Sequence, residues 1–218
     1  MGADRTRLPR GTHGLDPAVV AKSQRNRILF GVLESVAERG YAATTVADIV
    51  SRAGVSRRTF YEIYRGRDDC FVAAFESAVR YVVDQLAASV ADVPRNDWRA
   101  LIRGTLATYL QVLADNAPCA RALHVECLAA GSVVATERRQ MKVLLARRMS
   151  AVFRIGRAAG DIPADIPQSA FDALIGAIDD RIRDCLEFEG PQQLPALAPH
   201  LAEITLALFG TPEWRATP

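Results

Sequence analysis

Residues 44–67 constrain the fold of this chain more than any other stretch: Thr44-Thr45-Val46-Ala47-Asp48-Ile49-Val50-Ser51-Arg52-Ala53-Gly54-Val55-Ser56-Arg57-Arg58-Thr59-Phe60-Tyr61-Glu62-Ile63-Tyr64-Arg65-Gly66-Arg67. Thr45 with Asp48 three residues on resembles a capping box, so a helix opens there. Ile49, Val50 and Ala53 give that helix one apolar stripe. Gly54 falls where a left-handed C-terminal residue is needed, Val55 is read as a buried spacer, and Ser56 is a second N-cap that starts another helix at once. Two short helices joined by a tight turn make a helix-turn-helix.

The second helix carries its chemistry in its first turn. Ser56, Arg57, Arg58 and Thr59 would reach base edges if the helix lay end-on in a major groove. Arginine pairs bidentately with guanine, and the hydroxyls serve phosphate or base. Phe60, Ile63 and Tyr64 lie at i, i+3 and i+4 and should anchor the helix inward, while Tyr61 and Arg67 fall outside that stripe and, with Thr45, position the protein on phosphate. Arg58 and Glu62 are i, i+4 neighbours. Either Glu62 ties Arg58 down, or DNA recruits Arg58 to guanine while Glu62 accepts from a cytosine amino group.

With Gly40-Tyr41, Thr44-Thr45-Val46, Asp48-Ile49, Ala53-Gly54-Val55-Ser56, Thr59-Phe60-Tyr61, Tyr64 and Arg67-Asp68-Asp69 in this order and spacing, the chain resembles the TetR-type (TetR/AcrR) family of bacterial transcriptional regulators. The match spans about residues 25–75, and beyond it only the number of helices agrees. Arg58 stands where the family often has glycine, which adds a possible base reader. Ile63 stands where an aromatic or His often donates to phosphate, which removes a backbone contact. The resemblance implies an all-α fold, a three-helix head on a helical-bundle body for effector binding and dimerisation. It also places the start of the first main helix beside the DNA backbone, so Arg25 and Arg27 are either phosphate contacts or part of a solvated helix face.

Charge agrees with that division. Residues 1–67 hold 12 Lys or Arg against 6 Asp or Glu, whereas residues 68–218 hold 15 against 19. The basic part coincides with the helix-turn-helix, as a phosphate-binding module requires. The expected organisation is a basic arm over 1–20 carrying Arg5, Arg7 and Arg10, a DNA-binding domain over 21–67, an effector-binding and dimerisation domain over 68–211, and a tail over 212–218. Half the residues are apolar, yet no apolar run is long enough for a membrane span and no signal-peptide core opens the chain, so a cytoplasmic protein without membrane contact is expected.

Further along, Asp16-Pro17 signals a first turn leading into a helix near 23–38 that ends at Gly40. A long helix follows from Phe71 to Val90, which the family uses to connect head and body, and then helices over Trp98–Leu113, 118–130 and 133–159. The Asp161–Pro167 loop contains two prolines. Two last stripes follow, Phe171 to Leu186 and Leu194 to Leu208. They either complete the monomer core or, as the resemblance implies, pair with their symmetry mates in a homodimer, with Ala173, Gly176 and Ala177 permitting close approach. Asp179 and Arg183, at i, i+4, are read as a surface ion pair, and Asp180 and Asp184 as an exposed like-charge face.

Enzyme motifs are missing: there is no G-x-S-x-G, H-E-x-x-H, Walker loop or G-x-G-x-x-G. His124-Val125-Glu126 echoes the H-x-E of zinc deaminases without the downstream P-C-x-x-C. Cys70, Cys119, Cys127 and Cys185 have no metal-ligand spacing and are read as buried thiols. No metal or cofactor is expected, and no enzyme activity. The resemblance implies a small-molecule pocket among the body helices, for which Trp98, Tyr109, His124, Cys127, Met149 and Phe153 are the candidates. The function expected is a ligand-responsive regulator, a repressor, binding a palindromic double-stranded operator as a dimer. The alternative is a DNA-binding regulator whose body answers to a protein partner or to nothing.

Overall fold

A computed structural model describes residues 17–94, 96–162 and 165–209, without the side chains of 17–20 and 209. Arg5, Arg7, Arg10, Asp16, Pro163, Ala164 and the 212–218 tail lie outside it. The described residues form helices and turns with no strand: α1 (Pro17–Arg39), α2 (Val46–Ala53), α3 (Arg57–Ile63), α4 (Arg67–Ser89), α5 (Trp98–Asp115), α6 (Ala117–Arg121), a π-helical turn (Ala122–Glu126), α7 (Cys127–Ala130), a 3-10 turn (Gly131–Val133), α8 (Ala135–Ala158), α9 (Gln168–Phe188), a 3-10 stretch (Pro191–Leu197) and α10 (Ala198–Phe209).

The head is α1–α3. Ile28, Val32, Leu33 and Val36 from α1 meet Ile49 and Ala53 from α2, Phe60 from α3 and Tyr64 at its C-cap in one buried cluster that continues into Cys70 and Phe71 of α4. Local signals set the geometry. Thr45 Oγ1 accepts from the Asp48 amide while Asp48 accepts from the Thr45 amide, completing the capping box. Gly54 adopts φ 62°, and Val55 N–H donates to the Val50 carbonyl in the six-to-one closure that ends α2. Ser56 then caps α3 by accepting from the Thr59 amide. The helices are tightly crossed: a Cβ on Gly31 would lie 3.1 Å from the Ile49 carbonyl oxygen. Val55, read as buried, is only half-buried.

Three elements differ from the sequence reading. α1 begins at Pro17 rather than near 23, since Pro is well suited to a first helical turn. The 118–130 segment is interrupted by the π-helical turn. The last stripe is split, because Pro195 has no N–H to donate and holds 191–197 in a 3-10 coil before α10.

In the body, α9 buries Phe171, Leu174, Ile175, Ile178, Ile182 and Leu186, so its stripe completes the monomer core. At one end Trp98, Phe153 and Phe171 form an aromatic chain with centroids 5.3 and 5.4 Å apart. Gly156 permits it, since a Cβ there would come within 2.7 Å of the Trp98 ring.

Candidate nucleic-acid interface and body cavity

The first turn of α3 presents Arg57 and Arg58 to solvent. Arg57 has no ion pair among the described residues. Arg58 Nε donates to Glu62 Oε1 at 2.9 Å, both side chains well exposed. The pair is therefore formed in the free protein, at a contact worth about 0.3–0.5 kcal/mol, which a base edge can readily displace. Ser56 and Thr59 use their hydroxyls on each other, 2.9 Å apart. Tyr61 is 57% exposed, the most solvent-facing aromatic of the head, and Thr45 is exposed at the start of α2.

Arg27 and Arg67, candidates for phosphate, are engaged inside the head. Arg27 donates to the Ala53 and Gly54 carbonyls at 3.0 and 3.3 Å, satisfying acceptors left open at the end of α2. Arg67 lies over the Tyr41 ring at 4.3 Å. It donates to the carbonyls of Tyr41, Ala42 and Thr44 at 3.2, 3.4 and 3.3 Å, and to Asp68. It thus fixes the loop between α1 and α2. Tyr41 Oη donates to Asp68 at 2.7 Å, and burial with that bond pushes the phenol up to about 12. Arg25 is exposed two turns into α1, which begins at Pro17, and lies close to Tyr64.

The body holds a cavity of about 230 Å³ between α4, α5, α8, α9 and the π-helical turn. Tyr109, His124 and Met149 of the sequence-predicted set line it. Trp98, Cys127 and Phe153 do not. Trp98 donates to Asp161 at 2.8 Å and packs on Phe153, and the Cys127 thiol donates to the Leu123 carbonyl.

A polar chain crosses the cavity wall. Tyr109 and His124 Nε2 are hydrogen-bonded at 3.0 Å, His124 Nδ1 and Asp179 Oδ1 at 2.8 Å, and Arg138 donates to Asp179 Oδ2 at 2.7 Å. Lys142 and Arg183 stand 3.5 and 3.7 Å from the same carboxylate. Asp179 is not a surface residue: it is 4% exposed. Burial alone would raise its pKa, but the His124 hydrogen bond and the charges of His124, Arg138 and Lys142 hold it below the usual carboxylate range. Asp180 and Asp184 are exposed as expected, each paired with an arginine, Arg183 and Arg181.

Asp179 and Lys142 were missed as site residues. The signal for Asp179 was present, since 175, 178, 179 and 182 share one helical face and an acid inside an apolar stripe needs a partner. Nothing in the sequence marked Lys142, one of many basic residues on α8.

The π-helical turn joins the two sites. His124 faces the cavity and Glu126, two residues on and so nearly opposite, accepts from the Tyr41 amide at 2.8 Å and pairs with Arg121 at 3.4 Å. Among the described residues no cluster of three or more His, Cys, Asp or Glu is placed to hold a metal, and no helix is long and apolar enough to cross a membrane. All four cysteines are buried and unbridged.

Residues 28–74, the head and the start of α4, match the family model for bacterial regulatory proteins, tetR family. The fold of the whole is that of tetR-family regulators. The fatty acid degradation regulator FadR of Bacillus halodurans superposes with a TM-score of 0.74 at 17% identity, over 89% of this chain and 97% of its own. FadR of Bacillus subtilis, solved in complex with stearoyl-CoA, gives 0.74 at 16% identity over 84% and 97%. A SmeT–triclosan complex gives 0.71 at 18% over 87% and 92%. At such identities the likeness speaks for the shared fold.

Proposed function

We propose that this protein is a homodimeric, effector-responsive repressor that binds a palindromic operator in the cytoplasm and releases it when a small molecule enters the body cavity. The observation that carries the reading is the π-helical turn, where one short segment holds both a cavity-lining histidine and the loop that orients the reading head. π-turns of this kind are often kept at functional sites. The stearoyl-CoA and triclosan complexes of similar folds add support for a ligand in the body. The cavity favours this over a body that answers to nothing.

In the proposed division of labour Arg57, Arg58 and Thr59 read bases. Thr45 and Tyr61 lie on phosphate, Arg25 reaches it at the margin, and Arg27, Arg67 and Ser56 hold the reading helix in place. Two heads at fixed spacing suit two half-sites one or more helical turns apart. An effector that favours another spacing weakens both contacts together, as far as its differential affinity allows. The test is selection of bound DNA from random sequence, then binding to the selected site at rising salt. A palindrome and a steep fall of affinity with salt are expected; an unstructured, salt-insensitive selection defeats the proposal.

A further inference from the structure

Given the reading of the body as an effector domain, the cavity's chemistry narrows what it would hold. Its wall is mostly aliphatic, with Ile102, Leu106, Leu145, Val152 and Ile175 among its lining, which calls for an apolar ligand body. At about 230 Å³ it is somewhat smaller than the roughly 300–1,000 Å³ of drug-sized sites, so that body is compact. The charged groups decide the rest.

Asp179 is not an unmet negative charge waiting for a cationic ligand. His124, Arg138, Lys142 and Arg183 already surround it. Arg183 is shared with Asp180, yet positive charge still outnumbers negative around the polar chain. Lys142 is the least satisfied member: its Nζ lies 3.5 Å from Asp179, beyond a good N–H···O distance. Its ammonium has three donors. Arg148, six residues on, also lines the cavity, is exposed and has no ion pair among the described residues.

We infer that the cavity takes a compact hydrophobic carboxylate, its apolar part on the aliphatic wall and its acid group on Lys142, with Arg148 at the outer side. An acid there competes with Asp179 for Lys142. Drawing Lys142 away alters the load on the Asp179–His124 bond, and so on the turn that grips the head.

The test is calorimetry on the full-length protein with three probes sharing one tail: octanoate, octanol and octylamine. Octanoate is expected to bind at least about tenfold tighter than octanol, in line with one charge-assisted hydrogen bond, and octylamine weakest of all. Lys142→Met should remove the advantage of octanoate while octanol binds as before, which also reports that the variant cavity is intact. Octanol or octylamine binding as tightly as octanoate, or octanoate indifferent to Lys142→Met, overturns the inference. If octanol both binds and releases DNA, the carboxylate falls while the effector reading of the body stands. If none of the three binds, the carboxylate inference falls, and operator selection judges the regulator reading separately.

Discussion

Asp179 carries five polar neighbours from four elements: Arg138 and Lys142 on α8, Arg183 on α9 itself, His124 on the π-helical turn and, through it, Tyr109 on α5. Asp179→Asn keeps the shape and removes the charge that balances Arg138, Lys142 and Arg183. Breaking a buried pair by removing one partner costs about 3–5 kcal/mol, so thermal melts at neutral pH should show a clear loss. Because the folded state holds the Asp179 carboxyl below its ordinary 3.8, its contribution is fully present above that range and fades as pH falls through it. The gap in melting temperature between wild type and Asp179→Asn should therefore narrow on acidification below about pH 4; a gap that stays constant counts against the ion cluster as its source. Arg58 is the opposite case. Arg58→Ala removes an exposed pair with Glu62, so stability should change by no more than about 0.5 kcal/mol. Binding to systematically altered operators should lose discrimination at one base pair per half-site, by about 1–3 kcal/mol. Equal weakening on every sequence would reduce Arg58 to a phosphate contact.

At the scale of elements, the helix-turn-helix was legible because its signals are local. Thr45 with Asp48, Gly54 and Ser56 each act within a few residues of themselves, and each performs in the fold as its type dictates. The π-helical turn was not legible, since Ala122–Glu126 reads as ordinary helix and its extra residue answers to distant partners, Tyr41 on one side and Asp179 on the other. The cavity residues were half legible for a related reason. Aromatic and polar residues in the body were flagged by type, but only packing separates Tyr109 and Met149, which line the space, from Trp98 and Phe153, which close the core beside Gly156. Glu126→Ala leaves the Tyr41 amide without its acceptor, at a cost of about 1–3 kcal/mol, and deuterium uptake over residues 40–45 should rise. His124→Ala, which removes bonds to Tyr109 and Asp179 but none to the head, should raise uptake in the same loop through the turn. Unchanged uptake in His124→Ala would detach the cavity from the head.

For the whole molecule, the exposed apolar side chains of α9 and α10 call for a partner surface. Phe188 is 81% exposed at the end of α9, and Ile204 and Leu208 project from α10 at 52% and 49%. Ala173 and Ala177 lie exposed on the side of α9 opposite its buried stripe, with Gly176 half-buried between them. Large exposed apolar side chains and a small-residue face fit an interface better than open solvent, and the two-fold pairing through α9 and α10 proposed above would join two heads for two half-sites. The double change Ile204→Glu with Leu208→Glu places charge on that surface without touching Leu201 or Thr205, which face inward. It should therefore leave the monomer fold intact by circular dichroism, yet convert dimer to monomer in light scattering. Affinity for the full palindrome should fall by at least about a hundredfold, because joining two heads makes the second contact intramolecular, while affinity for an isolated half-site should hardly change. A variant that stays dimeric moves the interface elsewhere. One that becomes monomeric but keeps full palindrome affinity shows that the two half-sites are not read together.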